Sequence, residues 1–331
     1  MKAPFVKHFY GGFCNSPVKE DVDHCSNNVC GKTFTDDFSK EYFIEMPIKT
    51  QLSALFSTSD FREGLKHRQT RIKKSVNSIE DVYDSSQYKL LSHGGGPLSY
   101  EKTSNISFTF HTDGVPIFKS SKTSMWLVFL MVNELPFGMR KKRENMLLCG
   151  LWFGKEKPQI NLLCGPLQST LLELESGINL QLKGGEEVTV HAFLYCVTCD
   201  TPARSAVLNM NQHNGEYCCP KCLQQGKNFR TVSGGNVRIF PYIEDNPIGP
   251  LRTADNVKAN AQEAIQTGLT VNGIKGPSFL LFCPAFDPVK NIGIDYMHLV
   301  FLGIVRLMIK LWFNVSHSLQ NFSLYKNVDN S

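Results

Sequence analysis

The sequence lacks the long apolar runs that mark secretion or membrane insertion. Its first residues, MKAPFVKHFYGG, contain no apolar core of the kind found in signal peptides. No run approaches the roughly 18 apolar residues of a membrane-spanning helix. The chain is therefore expected to be soluble, to stay inside the cell and to have no membrane partner.

Tight cysteine pairs are scarce near the N terminus, although the chain has 11 cysteines. In a reducing compartment, clustered cysteines are better interpreted as metal ligands than as disulfides. Cys14, Cys25 and Cys30 have a ribbon-like layout without a fourth cysteine. His24 could complete a tetrahedral zinc site there, and the alternative is a loop with free thiols.

Charge is not strongly biased, so the sequence permits an anionic partner without demanding one. The net charge is +5, the sequence pI is about 8.5, and 42% of the residues are hydrophobic, which is typical of a globular protein. Cations concentrate in two runs that favour either phosphate contact or a solvated helix face. The residues predicted to contact nucleic acid are Lys66, Arg68, Arg71, Lys73, Lys74, Arg140, Lys141 and Lys142.

Three units are predicted along the chain. Residues 1–35 form a degenerate zinc-ribbon-like segment, and residues 36–96 form a basic, helical region with two helices between Glu41 and Leu91. A triple glycine at 94–96 marks the boundary. Residues 97–331 form the third unit, with an insertion around 213–226 that contains a Cys-x-x-Cys pair.

The third unit has an informative order of predicted elements. Alternating or continuous apolar residues indicate strands at 105–111, 124–133 and 145–154, followed by a helix over 166–175. A fourth strand lies within 186–200. A second helix follows it, with Thr201 at the cap and Pro202 at the first helical position. The order β-β-β-α-β-α predicts a mixed α/β fold with an RNase H-like sheet.

Two aspartates occupy suggestive positions in this order. Asp113 lies on the first strand and Asp200 just past the fourth, and these strands are neighbours in an RNase H-like sheet. Two carboxylates at close range repel each other unless a cation lies between them. Mg²⁺ or Mn²⁺ ions would activate a water and stabilise the leaving oxygen of a phosphodiester. The alternative is that both aspartates merely form turns.

Three separate blocks of the chain resemble the CACTA-type transposases and the related animal transposase domain-containing proteins. They are residues 112–167, beginning TDGVPIF, then YCVTCDTPARSAVLNMNQHNGEYCCPKCLQQG, then GIDYMHLVFLGIVRLMIKLW. Together with a weaker block at 48–91, the resemblance covers roughly residues 40–314. It implies cut-and-paste DNA transposition by an RNase H-like nuclease with a triad of acids.

The resemblance assigns roles to particular residues. Asp113 in TDG and Asp200 in D-x-P-A-R match the first two acids of the family, and Cys219 and Cys222 match its Cys-x-x-Cys pair. A zinc site needs further ligands. His298 in DYMH is the favoured one, and Cys196, Cys199 and His213 are alternatives.

The third acid is harder to assign. Asp295 is the most attractive candidate within the chain, because it lies in the last block shared with the family, although it could equally cap the following helix. The other candidates are Glu244, Asp245, Asp255, Glu263 and Asp287. A third carboxylate beyond residue 331 is also expected, since the family's proteins continue further; the chain is then a truncated copy.

Three functional hypotheses follow. The chain is an active DNA-cleaving and strand-transfer enzyme, an inactive transposase remnant that binds DNA or protein, or a zinc-bearing interaction module with structural aspartates. The resemblance also implies binding to transposon ends, self-association and a nuclear location, and the basic runs KHRQTRIKK and MRKKR could serve as import signals.

Overall fold

A seven-stranded sheet lies at the centre of the computed structural model. The structure describes residues 5–35, 40–117, 123–154, 156–232, 234–245, 247–317, 320 and 322–325. The strands are β1 Val6–Gly11, β2 Pro17–Val18, β3 Lys40–Glu45, β4 Ile106–Pro116, β5 Ser124–Val132, β6 Met146–Gly154, β7 Ile178–Gln181, β8 Glu187–Val190, β9 Ala192–Val197, β10 Lys227–Arg230 and β11 Asn236–Ile239.

The main sheet has the order β2-β1-β3-β6-β5-β4-β9. All neighbours in it are antiparallel except β4 and β9, which are parallel. Two separate hairpins, β7–β8 and β10–β11, complete the strands of the described residues. The predicted side-by-side arrangement of the first and fourth strands of the third unit, now β4 and β9, is confirmed, and so is the α/β class.

Helices cover the sheet and connect its strands. They are α1 Ile48–Phe56, α2 Ser59–Gly64, α3 His67–Thr70, α4 Ser86–Ser92, α5 Phe137–Arg140, α6 Ile160–Leu163, α7 Gly165–Ser176, α8 Thr201–Val207, α9 Ala254–Thr267 and α10 Arg306–Phe313. A π-helical segment, Tyr296–Val305, leads directly into α10. In α7, the helical spacing of Leu167, Leu171 and Leu174 places all three in the core.

The sequence pattern locates β5, β6 and α7 to within one residue at each end. It places the start of β4 to within one residue as well, but the strand continues to Pro116, beyond the predicted end at residue 111. The predicted fourth strand is wrong in one respect, because it divides into β8, which pairs with β7, and β9, which enters the main sheet. Helix α8 begins one residue earlier than expected. Asp200 rather than Thr201 is its N-cap, since the Asp200 carboxylate accepts a hydrogen bond from Ala203 N–H at 2.8 Å.

The N-terminal part of the chain contributes to the same sheet. Strand β3 pairs with β6, and β1 and β2 continue the sheet beyond β3. The region predicted to contain two helices holds α1 to α4 as well as part of β3. Gly94 and Gly95 form a turn with positive φ. The division into three units stays a prediction, but hydrogen bonds cross from the first two into the third.

A buried charged group joins the N-terminal helices to the sheet. Glu134, directly after β5, is 0% exposed and accepts hydrogen bonds from the backbone and hydroxyl of Ser107 and from the Tyr88 hydroxyl, at 2.7 to 2.8 Å. Arg68 lies 4.0 Å from it and also donates to the Tyr88 hydroxyl. Burial raises the pKa of Glu134, although these donors and Arg68 oppose the shift.

A second ion pair lies beside the first. Arg140 forms a two-point pair with Asp81 at 2.6 and 2.7 Å and donates to the Tyr83 hydroxyl at 2.9 Å. Tyr83 in turn donates to the carbonyl of Asn133 at 2.6 Å. Such paired guanidinium and carboxylate groups satisfy charges that would be costly to bury alone.

The π-helical segment and α10 together form one long apolar helix. Tyr296–Phe313 is long and apolar enough, by length and composition, to cross a membrane, with a mean hydropathy of 1.5 and no buried residue. The sequence analysis expected no helix of this length and hydropathy. Arg306 and Lys310 interrupt the apolar run, but the mean hydropathy of the whole helix is still that of a candidate membrane span. A single helix of this kind does not establish a membrane span, because core helices of soluble proteins share its composition.

We expect Arg68→Met to lower the free energy of unfolding by about 3–5 kcal/mol, because it leaves a buried carboxylate unpaired. The measurement is urea denaturation. In this variant the folded-state pKa of Glu134 lies further above its unfolded value, so stability falls as pH rises from the unfolded pKa towards the folded one. The loss should therefore be larger at about pH 8 than at about pH 5.

The double variant Arg68→Met/Glu134→Gln serves as the control. Removing the carboxylate as well should recover part of the lost stability and abolish the difference between the two pH values. An equal loss at both pH values in the single variant would contradict the assignment of Arg68 as the partner of an ionised Glu134.

Candidate functional site

Three neighbouring segments of the main sheet run in one direction and share a row of paired residues. Phe110 of β4 pairs in parallel with Val197 of β9, and Val197 forms a parallel bridge with Ile292. The N–H of Val197 donates to the carbonyl of Asn291 at 3.0 Å, and the N–H of Gly293 donates to the carbonyl of Val197 at 2.8 Å. The segment around Ile292 therefore extends the sheet beyond β9.

An aspartate follows each member of this row at the same interval along the chain. Asp113, Asp200 and Asp295 each come three residues after the paired residue, as 113 − 110, 200 − 197 and 295 − 292 show. The carboxyl ends of parallel strands lie at one edge of a sheet, which is where ligands bind in open α/β sheets. The three predicted acids thus share that edge.

A bulge in β9 sets the alignment. Before it, Phe108 pairs with Leu194, which is 86 positions later (194 − 108). After it, Thr109 pairs with Cys196, which is 87 positions later (196 − 109). Tyr195 is the extra residue on β9, and such insertions bend and realign a strand locally.

The position of the second acid depends on this insertion. Asp113 and Asp200 are 87 positions apart (200 − 113), the interval that applies after the bulge. Without it, Asp113 would be level with Cys199. The Tyr195 ring packs on Tyr88 at 5.6 Å between centroids and is 7% exposed, so the inserted residue is held by a second core cluster.

Asp113 lies inside a strand and not in a turn. Strand β4 continues to Pro116, and Asp113 pairs with Leu127 of β5. Its Oδ1 accepts a hydrogen bond from Gly114 N–H at 2.7 Å. A Cβ at Gly114 would lie 2.6 Å from the Trp126 ring, so packing against Trp126 explains the glycine. The turn alternative therefore does not hold for this Asp-Gly pair.

Asp200 has a local structural role as the N-cap of α8, where only its Oδ1 is engaged. Next to it, Cys199 is 1% exposed, and burial raises the pKa of its thiol to about 12. Thr112 N–H opposes this shift, while the charges of Asp200 and Asp113 add to it. Both carboxylates therefore act on the same buried thiol.

Asp295 and His298 form a pair at the start of the π-helical segment. Asp295 Oδ1 accepts from His298 N–H at 3.1 Å, and Oδ2 bonds the ring Nδ1 at 2.5 Å. The hydrogen bond to Asp295 raises the pKa of His298, and the charges of Asp295, Asp200 and Asp113 also raise it. Burial disfavours the Asp295 anion, but these hydrogen bonds outweigh burial and lower its pKa. His298 is therefore within the electrostatic reach of all three aspartates.

Oxygen atoms remain available at this edge. Within the described ranges, no protein donor bonds Oδ2 of Asp113 or Oδ2 of Asp200. Carboxylate oxygens of this kind are the ligands that Mg²⁺ and Mn²⁺ prefer. The acids nevertheless do not form a tight cluster, because no three of their ligand atoms lie within 4.8 Å of one another.

Three N-terminal cysteines do form such a cluster. Cys14, Cys25 and Cys30 are the one group of three or more potential metal-ligand residues within 4.8 Å of one another in the part of the chain that the structure describes. The Sγ atoms of Cys14 and Cys25 are 3.4 Å apart. The hydroxyl and backbone of Ser16 lower the pKa of Cys14 to about 7, against the effect of burial. The His24 ring is exposed and bonds Asp23 instead, at 2.7 Å.

The Cys-x-x-Cys pair lies in a separate place, close to the buried Arg252 and the half-buried Lys221. Cys222 is 8% exposed, and burial raises the pKa of its thiol, as does the neighbouring Cys219. Arg252 is 4% exposed and donates to the carbonyls of Tyr217, Cys219 and Asn272. Its Nη1 is buried without a hydrogen-bond partner among the described residues. The His298 ring bonds Asp295 instead, and in the described part of the chain Cys219, Cys222 and His298 do not form a group with ligand atoms within 4.8 Å of one another.

Lys221, inside the Cys-x-x-Cys pair, connects it to the edge that carries the aspartates. Its Nζ donates to the carbonyls of Val289 and Ile292. Burial lowers the pKa of this lysine, although the nearby Cys196, Asp287 and Cys219 oppose the shift. The carbonyl of His213, another candidate zinc ligand, accepts a hydrogen bond from the Cys218 thiol at 3.6 Å.

The predicted nucleic-acid residues divide into engaged and exposed groups. The sequence pattern treats Arg68 and Arg140 as surface cations, whereas the structure buries both at 3% exposure in the ion pairs described above. Arg71 and Lys73 pair with Asp84, and Arg71 lowers the pKa of that carboxyl well below its usual range. Lys66 pairs with Glu63 at 2.6 Å. The remaining exposed members are Lys74, Lys141 and Lys142.

Sequence reasoning missed two buried charged residues, Glu134 and Arg252. Glu134 follows an apolar strand in VNELP, and Arg252 precedes a helix in LRTAD. Neither pattern distinguishes a buried charge from a surface one, because each depends on partners distant in sequence.

Two comparisons with known proteins bear on these residues. The profile of the transposase family tnp2 matches residues 77–243, about half of the chain. No curated protein matches the chain. The matched region contains Asp113, Asp200, Cys219 and Cys222, whereas Asp295 and His298 lie outside it.

We expect Asp295→Asn to lower the pKa of His298, because the substitution removes the main interaction that favours its protonated ring. The measurement is an NMR titration of the His298 ring. A smaller decrease is expected in Asp113→Asn/Asp200→Asn, whose charges also act on this ring. Asp287→Asn is the matched control and should leave the pKa of His298 unchanged. An unchanged pKa in Asp295→Asn would contradict the pairing.

Proposed function

The chain belongs to the transposase family tnp2, and we propose that it is a metal-dependent nuclease that cleaves DNA and joins the freed end to target DNA in cut-and-paste transposition. The observation that carries this proposal is the common interval of the three aspartates after the paired row Phe110, Val197 and Ile292. An RNase H-like sheet with acids at the carboxyl edge of adjacent strands supplies the oxygen ligands that phosphodiester cleavage with divalent ions requires.

Asp113 and Asp200 would hold the ions through their Oδ2 atoms, which bond no donor among the described residues. When bound, Mg²⁺ or Mn²⁺ supplies charge stabilisation to the phosphodiester and makes a water nucleophilic near neutral pH. The remaining Oδ1 atoms keep the two carboxylates oriented, one on Gly114 N–H and one on Ala203 N–H. Each aspartate would therefore bind the ion with one oxygen and hold its local backbone with the other.

Asp295 is proposed as the third acid. Each oxygen of a carboxylate can accept about two hydrogen bonds or ligand contacts, so the bonds from His298 leave room for a cation. His298 holds the Asp295 carboxylate in place and adds positive charge when protonated. The other interior candidates, Glu244, Asp245, Asp255, Glu263 and Asp287, do not follow a member of the paired row at the same interval.

Zinc is proposed as a second, structural metal. Cys219 and Cys222 would supply two thiolates beside Arg252, whose buried guanidinium has one nitrogen without a hydrogen-bond partner among the described residues. Burial lowers the pKa of Arg252, and the nearby Cys219, Cys222 and Cys218 oppose the shift. Thiolates bound to zinc would provide the missing negative charge. Cys14, Cys25 and Cys30 fit a second zinc ion with three thiolates. One further ligand would complete this site, and two further ligands would complete the Cys219–Cys222 site.

DNA is the proposed partner, and family membership also supports the proposals of a nuclear location and of self-association. Lys74, Lys141 and Lys142 are exposed and could contact phosphate without reading sequence. The competing hypothesis is an inactive remnant that keeps the fold and binds DNA. It predicts DNA binding without ion-dependent cleavage.

We expect the chain to bind Mn²⁺ in calorimetry and Asp113→Asn/Asp200→Asn to bind it at least about tenfold more weakly, since both substitutions remove an anionic ligand. Asp245→Asn/Asp255→Asn removes the same charge from two exposed positions and serves as the matched control. Equal binding by all three proteins would show that the aspartates are structural. Binding without cleavage of duplex DNA would favour the inactive remnant.

We expect the purified chain to contain two zinc ions, measured by elemental analysis and by the absorption of the cobalt-substituted protein. Cys219→Ser/Cys222→Ser should lose one ion and Cys14→Ser/Cys25→Ser the other, because thiolates are the main ligands. Cys164→Ala/Cys283→Ala changes two buried, isolated cysteines and should lose none. His298→Asn should also lose one ion if His298 completes the Cys219–Cys222 site, and zinc retained in every variant would refute both sites.

A further inference from the structure

The hairpin β10–β11 is a two-stranded ribbon outside the main sheet. Lys227 pairs with Ile239, Asn228 with Arg238, Phe229 with Val237, and Arg230 with Asn236. The turn between the strands is closed by Thr231 N–H donating to Gly235. None of the eight residues in the two strands is buried.

The register separates the ribbon into two chemically different faces. Directly paired residues lie on the same face, and successive residues alternate. One face carries Lys227, Phe229, Val237 and Ile239, and the other carries Asn228, Arg230, Asn236 and Arg238. The first face holds the aromatic and β-branched pair that stabilises the two strands. The second, which we name the Arg/Asn face, consists only of arginine and asparagine.

The ribbon is anchored at its base and open towards its tip. Arg238 Nη1 donates to Glu216 at 2.9 Å and to the carbonyl of Gly226 at 2.7 Å. A Cβ at Gly226 would collide with the Arg238 side chain, so that side chain lies directly over the backbone. Lys227 and Arg230 are exposed and form no ion pair within the described residues. Arg238 therefore positions the Arg/Asn face, and Arg230 remains available for a ligand.

The segment that contains the ribbon is rich in positive charge. Between Glu216 and Glu244 the sequence has no acidic residue, while it has the cations Lys221, Lys227, Arg230 and Arg238. This contrasts with the basic run at 66–74, where Arg68, Arg71 and Lys73 all pair with buried carboxylates. The ribbon thus offers uncompensated positive charge at a regular, protruding element.

We propose that the ribbon β10–β11 contacts duplex DNA in the major groove through its Arg/Asn face, an inference that rests on the proposed DNA-processing function. The major groove admits a two-stranded ribbon. Arginine pairs with the acceptor edge of guanine and asparagine with adenine, so Arg230, Asn228 and Asn236 have the chemistry for base contact. Lys227, on the opposite face, can reach a phosphate at the groove wall.

The test measures binding to a fluorescent, random-sequence duplex by anisotropy over a range of salt concentrations. A duplex of about 30 base pairs gives about three full turns of the major groove. Lys227→Gln/Arg230→Gln should bind more weakly and reduce the magnitude of the slope of log K against log salt by about 1, because Lys227 is the proposed phosphate contact and each such contact contributes roughly 0.9 to the slope. Lys258→Gln/Lys275→Gln removes two exposed lysines elsewhere and should leave the slope unchanged.

A conservative variant separates base contact from phosphate contact. Arg230→Lys keeps the charge but loses the planar fork that pairs with guanine. It should keep the salt slope and lose roughly tenfold or more of the preference for duplexes selected from a randomised pool. An unchanged preference would overturn base reading by Arg230. The melting temperature of each variant establishes that it is folded, and the single variant Arg230→Gln replaces the double one if that protein is unstable.

The outcomes separate this inference from the proposed function. If the chain binds duplex DNA and the ribbon variant has the same salt slope as the control, the ribbon proposal fails and the proposed function stands. If the ribbon variant loses binding while Asp113→Asn/Asp200→Asn binds DNA without cleaving it, both proposals are supported. If the chain binds no duplex at low salt, both fail. Loss of binding in the lysine control to the same extent would also overturn the ribbon proposal.

Discussion

The parallel pairing of β4 with β9 is the constraint on which the rest of the structure depends. It is the only parallel pair of named strands in the described part of the main sheet, and its register decides which residue stands beside Asp113. A shift of one residue would turn every side chain of β9 to the other face. The bulge at Tyr195 makes that shift locally, before the end of the strand, so that Asp200 rather than Cys199 is level with Asp113.

The N-terminal helices secure this register from outside the sheet. Tyr195 packs on Tyr88 of α4, and Tyr88 also bonds Glu134 at the end of β5. Arg68 of α3 completes the group. The positive charge that resembles a phosphate-binding run is therefore largely used to compensate buried carboxylates. This explains why an uncompensated basic surface is found on the ribbon β10–β11 instead.

Much of the fold could be predicted because its signals are local. Apolar alternation located β4, β5 and β6, and the adjacency of β4 and β9 followed from element order. Other features depend on contacts that no short pattern encodes. Strand β8 is separate from β9 because it pairs with β7. Arg68 and Arg140 are buried because they pair with the carboxylates of Glu134 and Asp81. The bulge at Tyr195 leaves no trace in composition. The interval shared by Asp113, Asp200 and Asp295 likewise emerges only from the observed register.

The pairing of β3 with β6 limits how this protein can be dissected. A fragment that began at β4 would contain the paired row and all three aspartates, yet it would expose β6 as a new edge strand with unpaired N–H and carbonyl groups. Open edges of this kind promote association between chains. The same fragment would also leave Glu134 buried without Arg68 or Tyr88. The segment before residue 100 therefore covers the edge of β6 and supplies the partners of Glu134, so the acids and the sheet that carries them form one unit with it.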